Sequence, residues 1–188
     1  MYRANQPSPE HIGRYARELG LRTIINLRGR SPKGYYLLEK EACERSGVAL
    51  VDFQVFSRDA PTRESVLAAR GLFEAIAYPA LMHCKSGADR AGLMAALYMH
   101  FRQGQPIEQA KEQLSFKYLH IREGKTGMLD YFFETYLRAG KPGGLSFVDY
   151  STPIGEPMVQ RYVHRHRLEK KDPNAAVSEP VKLSLIHI

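Results

Sequence analysis

The chain has 188 residues, 44% of them hydrophobic, with 27 Lys and Arg against 20 Asp and Glu and a formal net charge of +7. That length suits one domain with a tail, two cysteines cannot staple a fold of this size, and no apolar run approaches the roughly 18 residues of a membrane span. The positive balance favours anionic partners without choosing among them. No N-terminal stretch reads as a secretion signal, so a reducing, cytoplasmic setting is the expectation.

Taken in chain order, "PSPEHIGRYARELG" predicts a first helix, with Ser8 as N-cap, Pro9 at the first helical position and Gly20 as the stop. "RTIINL" (22–27) reads as a strand, and "GYYLLEKEACERSG" as a second helix closed by Gly47. "VALVDFQVF" (48–56) is the next strand, Thr62 caps a third helix through about Ala77, and "ALMHC" is a strand that runs into a fourth helix beginning near Asp89. Helical segments near 106–115 and 127–138 complete the pattern.

Alternation of this kind implies an α/β fold: a mainly parallel central sheet flanked by helices, with right-handed crossovers. Capping at Ser8 leaves almost no room for a preceding strand, so an N-terminally trimmed domain is expected. Residues 1–140 are assigned to the catalytic domain and 141–188 to a basic, partly disordered extension. "VQRYVHRHRLEKK" (159–171), five Lys/Arg against one Glu, reads as a solvated face or a docking patch for acidic lipid. Tyr162 is its one aromatic, too few for a stacking platform, so nucleic acid is not an expected partner. The terminal "VKLSLIHI" turns apolar and reads either as a stray edge strand or as an appended end, and is set outside the fold.

In such a sheet, ligands bind beyond the carboxyl ends of the strands. That rule gathers "RGRSPKG", "SRDAPT" and "KSGADR" at one crevice, bringing Arg28, Arg30, Lys33, Arg58, Asp59, Cys84, Lys85 and Arg90 together, six of the eight cationic. A thiol attacks only as thiolate, and free cysteine is mostly protonated near neutral pH. Here Cys84 ends a strand, Lys85, Ser86, Gly87, Ala88 and Asp89 curl toward a helix N-terminus, and Arg90 adds a planar cation. Successive amides with a guanidinium make an anion nest suited to a tetrahedral dianion, with phosphate the obvious candidate.

With His83, Cys84 and Arg90 in the pattern His-Cys, five residues, Arg, the chain resembles the cysteine-dependent protein tyrosine phosphatase superfamily, nearest its compact dual-specificity and lipid phosphatase branch. "YRANQPSPEHIGRYARELGLRTIINLRG" also looks like the opening of small bacterial members, and the likeness spans roughly residues 2–138. The resemblance implies a phosphomonoester hydrolase working through a cysteinyl-phosphate, without metal or cofactor, on a phosphorylated protein or a phospholipid head group. It assigns Cys84 as nucleophile, Arg90 and the loop as the phosphate cradle, and Asp59 of "FSRDAPT" as general acid, ahead of Asp52 and of Asp89. Substrate contacts are expected from Lys85, Ser86, Gly87, Ala88, Asp89 and Arg28, although a local carboxylate or carbonyl would serve Arg28 equally. His83 is expected to orient the loop, and Cys43 to be a core residue rather than a resolving thiol. One departure stands out: Ala91 follows the motif arginine, where Ser or Thr usually assists loss of the thiolate, so slow breakdown of the phosphoenzyme is expected. The alternatives are a phosphoinositide or phospholipid phosphatase with the same chemistry, a phosphate-binding module with little turnover, and a sulfur- or arsenate-handling thiol enzyme. No feature specifies an oligomeric state.

Overall fold

The structure, a computed structural model, describes residues 1–151 and the backbone of 185–187. Its elements run β1 (Tyr2–Ala4), α1 (Pro9–Leu19), β2 (Thr23–Asn26), α2 (Gly34–Ser46), β3 (Ala49–Asp52), α3 (Arg63–Ala75), β4 (Ala80–His83) and α4 (Asp89–Phe101). Short helices α5 (Ile107–Ala110), α6 (Met128–Thr135) and α7 (Phe147–Tyr150) follow, and β5 (Leu185–His187) closes the order. The sheet order is β3-β2-β4-β1-β5. The first four strands are mutually parallel, and β5 pairs antiparallel with β1.

Local signals explain the helices. Ser8 Oγ accepts the His11 amide at the start of α1 and Thr62 Oγ1 that of Ser65 at the start of α3, while Gly20 (φ 60°) and Gly47 (φ 66°) end α1 and α2 in the left-handed region. Strand side chains alternate between faces. Ile24 and Leu81 therefore pack with Ile12, Tyr15, Ala42 and Cys43 under α1 and α2. Ile25 and Met82 pack with Phe73, Met94 and Phe133 on the other side.

Three expectations are corrected. A strand does precede α1: Tyr2–Ala4 adds to β4 in the register Ala4↔His83, and three residues suffice because β4 already supplies the template. The strand expected over 48–56 is regular only to Asp52, whose carboxylate is engaged by Asn26, Arg30 and Tyr36; Phe53 and Val55 still donate to the Asn26 and Leu27 carbonyls before the chain enters the loop that carries Asp59. The set-aside terminus contributes β5. In addition, the packed domain continues past residue 140: Phe147 lies 5.6 Å from Phe133 in a stacked pair, and Tyr150 is also in the core. The basic run 159–171 lies outside the described residues. No helix among the described residues is long and apolar enough to cross a membrane.

The registers align the carboxyl ends, with Ala4 opposite His83, His83 opposite Asn26 and Asn26 opposite Asp52. The loops after β2, β3 and β4 consequently leave one edge of the sheet.

Candidate active site

Cys84 follows β4 and is buried, at 2% exposure. The loop turns back over it, so that the Gly87 amide donates to Cys84 Sγ at 3.2 Å. Gly87 has φ +80°, and a Cβ there would lie 2.9 Å from the backbone of Ala4 and Asn5. Only glycine satisfies both conditions. Ala88 is buried and α4 begins at Asp89, which places the helix N-terminus directly behind the loop. Arg90 is half-buried, and its guanidinium makes no hydrogen bond or ion pair among the described residues. Lys85 is exposed and Ser86 half-buried. The arrangement can bind a tetrahedral anion against the sulfur.

His83 is fully buried, with Nδ1 3.3 Å from the Cys84 carbonyl, the tautomer being set by that acceptor. Its Nε2 stands 2.5 Å from Glu39 Oε1 without hydrogen-bond alignment, although both side chains are sealed from solvent. Glu39 Oε2 accepts from Gln6, and Gln6 Oε1 accepts from Arg28, whose guanidinium lies 3.5 Å over the Tyr35 ring. Arg28 thus has local partners in Gln6 and Tyr35.

Asp89 is the second residue that geometry redefines. His120, 2% exposed, bridges Asp89 Oδ1 at 2.7 Å and Asp130 Oδ2 at 2.6 Å. Donating to both requires the protonated ring. Burial opposes that charge, but the hydrogen bonds and charges of Asp130 and Asp89 outweigh it and raise the His120 pKa to about 9. Asp52 is a strand-end structural carboxylate, held as described above.

Asp59 is exposed on the loop after β3. It borders a cavity of about 310 Å³ lined by Phe53, Val55, Phe56, Leu93, Met94 and Leu97 among others, which touches no residue from 84 to 90. Arg30 is paired with Asp52. Cys43 lies in the cluster on the opposite face of the sheet from Cys84, and burial pushes its thiol up to about 12.

Sequence reasoning missed Arg3, Glu39, His120 and Asp130. Arg3 is completely buried; its Nη2 donates to the carbonyls of Gly87 (2.7 Å) and Ala88 (2.9 Å), and its Nη1 to the carbonyl (3.1 Å) and Oε1 (3.2 Å) of Gln113. The one available signal was a charged residue within an otherwise short apolar-polar opening, "MYRAN".

Residues 1–127 match the family described as "DSP-PTPase phosphatase fused to NAD+ Kinase". No curated protein sequence matches the chain. Among solved structures, TpbA of P. aeruginosa superposes with a TM-score of 0.55 at 19% identity, covering 77% of this chain and 80% of its own. PTPMT1 gives 0.52 at 19% identity over 73% and 92%, and Tk-PTP in its active form 0.52 at 20% identity over 67% and 84%. At these identities the likenesses show the fold. A cysteine-to-serine variant of TpbA has been crystallised with pTyr, with a TM-score of 0.54, 19% identity, and 73% and 78% coverage.

Proposed function

The chain belongs to this family of dual-specificity-type (DSP) protein tyrosine phosphatase domains, and on that premise we propose that it is a cysteine-dependent phosphomonoester hydrolase acting on phosphotyrosine-type substrates. The observation that carries the reading is the loop itself: a buried sulfur accepting an amide, a glycine that no other residue can replace, a helix N-terminus and an uncommitted guanidinium six residues on.

Cys84 attacks phosphorus in line, forming the S–P bond as the bond to the leaving oxygen breaks. Arg90 and the loop amides stabilise the equatorial oxygens. Asp59 delivers its proton to the departing oxygen. Water then cleaves the S–P bond, releasing phosphate and the thiolate. Asp59 is favoured as acid because it is exposed on a loop at the carboxyl edge of the sheet, whereas Asp89 is committed to accepting from His120. Lys85, exposed, and Ser86, half-buried, are the loop residues assigned here to meet substrate. The phosphotyrosine reading draws on the pTyr complex of TpbA.

Hydrolysis of a fluorogenic aryl phosphate by the wild type, Cys84→Ser and Asp59→Asn tests the proposal. Cys84→Ser should abolish turnover, and Asp59→Asn should lower it by about 10²-fold or more. Undiminished turnover in Cys84→Ser, or none in the wild type, would sink it. A panel of phosphopeptides, phosphoinositides and phosphatidylglycerophosphate separates protein from lipid substrates.

A further inference from the structure

We propose that Arg3 is a positioning residue of the phosphate loop: its buried guanidinium turns the Gly87 and Ala88 carbonyls away from the anion site and supplies a resident counter-charge for the Cys84 thiolate. The inference rests on the reading of Cys84 as nucleophile.

Three observations carry it. The first is the set of contacts. Arg3 spans two consecutive loop carbonyls with one nitrogen and Gln113 with the other, and its guanidinium carbon lies 4.6 Å over the Tyr118 ring. A peptide whose C=O is fixed toward Arg3 has its N–H fixed on the opposite side, because the unit is planar and trans. Two such peptides in succession set the amides of Ala88 and Asp89 away from the guanidinium and toward the concave side.

The second is the absence of a counter-ion. Arg3 is fully buried, yet among the described residues no carboxylate lies within ion-pair distance, its four hydrogen-bond acceptors are all neutral, and Nε has no partner. An uncompensated buried charge costs several kcal/mol, so a fold retains one chiefly where an anion balances it. Burial lowers the Arg3 pKa to about 10, and the charges that oppose this are, in order, Cys84, Tyr118 and Asp89. Geometry makes the same link: Gly87, whose carbonyl accepts from Arg3, donates its amide to Cys84 Sγ. A bound phosphate dianion would add to the same balance.

The third is placement. Arg3 enters from β1, which pairs with the strand that ends at the nucleophile, and the Cβ that Gly87 lacks would collide with Ala4 and Asn5 of the same segment. The loop is therefore seated on β1 by both its glycine and its carbonyls.

The test uses the full chain as wild type, Arg3→Met and Arg3→Lys, all in a Cys43→Ala background so that one thiol reports. The readouts are the pH midpoint of iodoacetamide alkylation at Cys84 and the affinity for orthovanadate, with circular dichroism establishing folding. Arg3→Met should move the alkylation midpoint upward, reduce the alkylation rate at neutral pH by about tenfold, and weaken vanadate by at least as much. Arg3→Lys keeps the charge but cannot span the same acceptors, so it should hold the midpoint near wild type while losing vanadate affinity. A folded Arg3→Met with wild-type midpoint and affinity would overturn the proposal, as would Arg3→Lys shifting the midpoint as far as Arg3→Met does. Should Arg3→Met not fold, Arg3→Lys decides alone against the wild type, and vanadate affinity retained in it would overturn the proposal. Neither readout needs turnover, so absence of phosphatase activity in the wild type would sink the proposed function while leaving this test intact.

Discussion

Replacing His120 by Asn removes a buried cation held between two carboxylates, and the effect on stability should depend on pH in a specified direction. The ring ionises near 6.5 in an unfolded chain and at about 9 in the fold. Because the folded value is the higher one, protonation stabilises the fold fully below pH 6.5, and that contribution is lost steadily as pH rises to about 9. A displacement of this size corresponds to about 3 kcal/mol, reduced toward about 2 by the partial exposure of Asp89 and Asp130. The assay is urea unfolding of the wild type and His120→Asn between pH 6 and 10. The difference between the two cancels other groups that titrate in alkali. The advantage of the wild type should shrink by about 2–3 kcal/mol across that range. A difference that stays constant with pH, or an NMR titration placing His120 near 6.5, would refute the reasoning.

Gly87→Ala should abolish vanadate binding, since its Cβ would sit 2.9 Å from the Ala4 carbonyl at a φ of +80°; retained affinity by calorimetry would show that the loop tolerates the methyl. Ala91→Ser should raise the steady-state rate and diminish a pre-steady-state burst in rapid mixing, because a hydroxyl after the motif arginine would assist departure of the thiolate; no burst in the wild type would remove the premise. Peroxide should leave Cys43 and Cys84 unlinked, since they lie on opposite faces of the sheet, and mass spectrometry detecting that disulfide would contradict the packing. Asp59→Asn should slow an alkyl phosphate more than p-nitrophenyl phosphate, because a poor leaving group depends more on its proton. Equal slowing of the two would remove Asp59 as the acid.

What could be read from the sequence was what is local. Ser8, Thr62, Gly20 and Gly47 act within a few residues of themselves, and the residues from His83 to Arg90 form one continuous loop whose chemistry follows from their order. Arg3 and His120 act at a distance. Arg3 meets Gly87 across 84 positions and His120 meets Asp89 across 31, so neither leaves a periodic or spaced trace. A three-residue strand holding a buried arginine also defies patterning: its charge argues for solvent, and only the carbonyls of a loop not yet placed can satisfy it. The end of β3 at Asp52 was hidden for a similar reason, because Tyr36 and Arg30 reach its carboxylate from the preceding loop and helix and not along the strand.

These two distant contacts also give the irregular stretch between α5 and α6 its role. Gln113 and Tyr118 complete the surroundings of Arg3, and His120 two residues later fastens Asp89 at the start of α4. Gly92, one turn into that helix, admits the stretch closely: a Cβ there would lie 2.9 Å from Leu114 and 3.0 Å from the Gln113 carbonyl. A segment with little regular structure of its own is thus held against the phosphate loop by a cation–π contact, two sets of charged hydrogen bonds and a backbone approach that depends on glycine. Changes in 113–120 should therefore reach anion binding before they affect the sheet, since among the described residues no strand pairs with that stretch and the contacts of Gln113, Tyr118 and His120 run to Arg3 and Asp89 beside the loop.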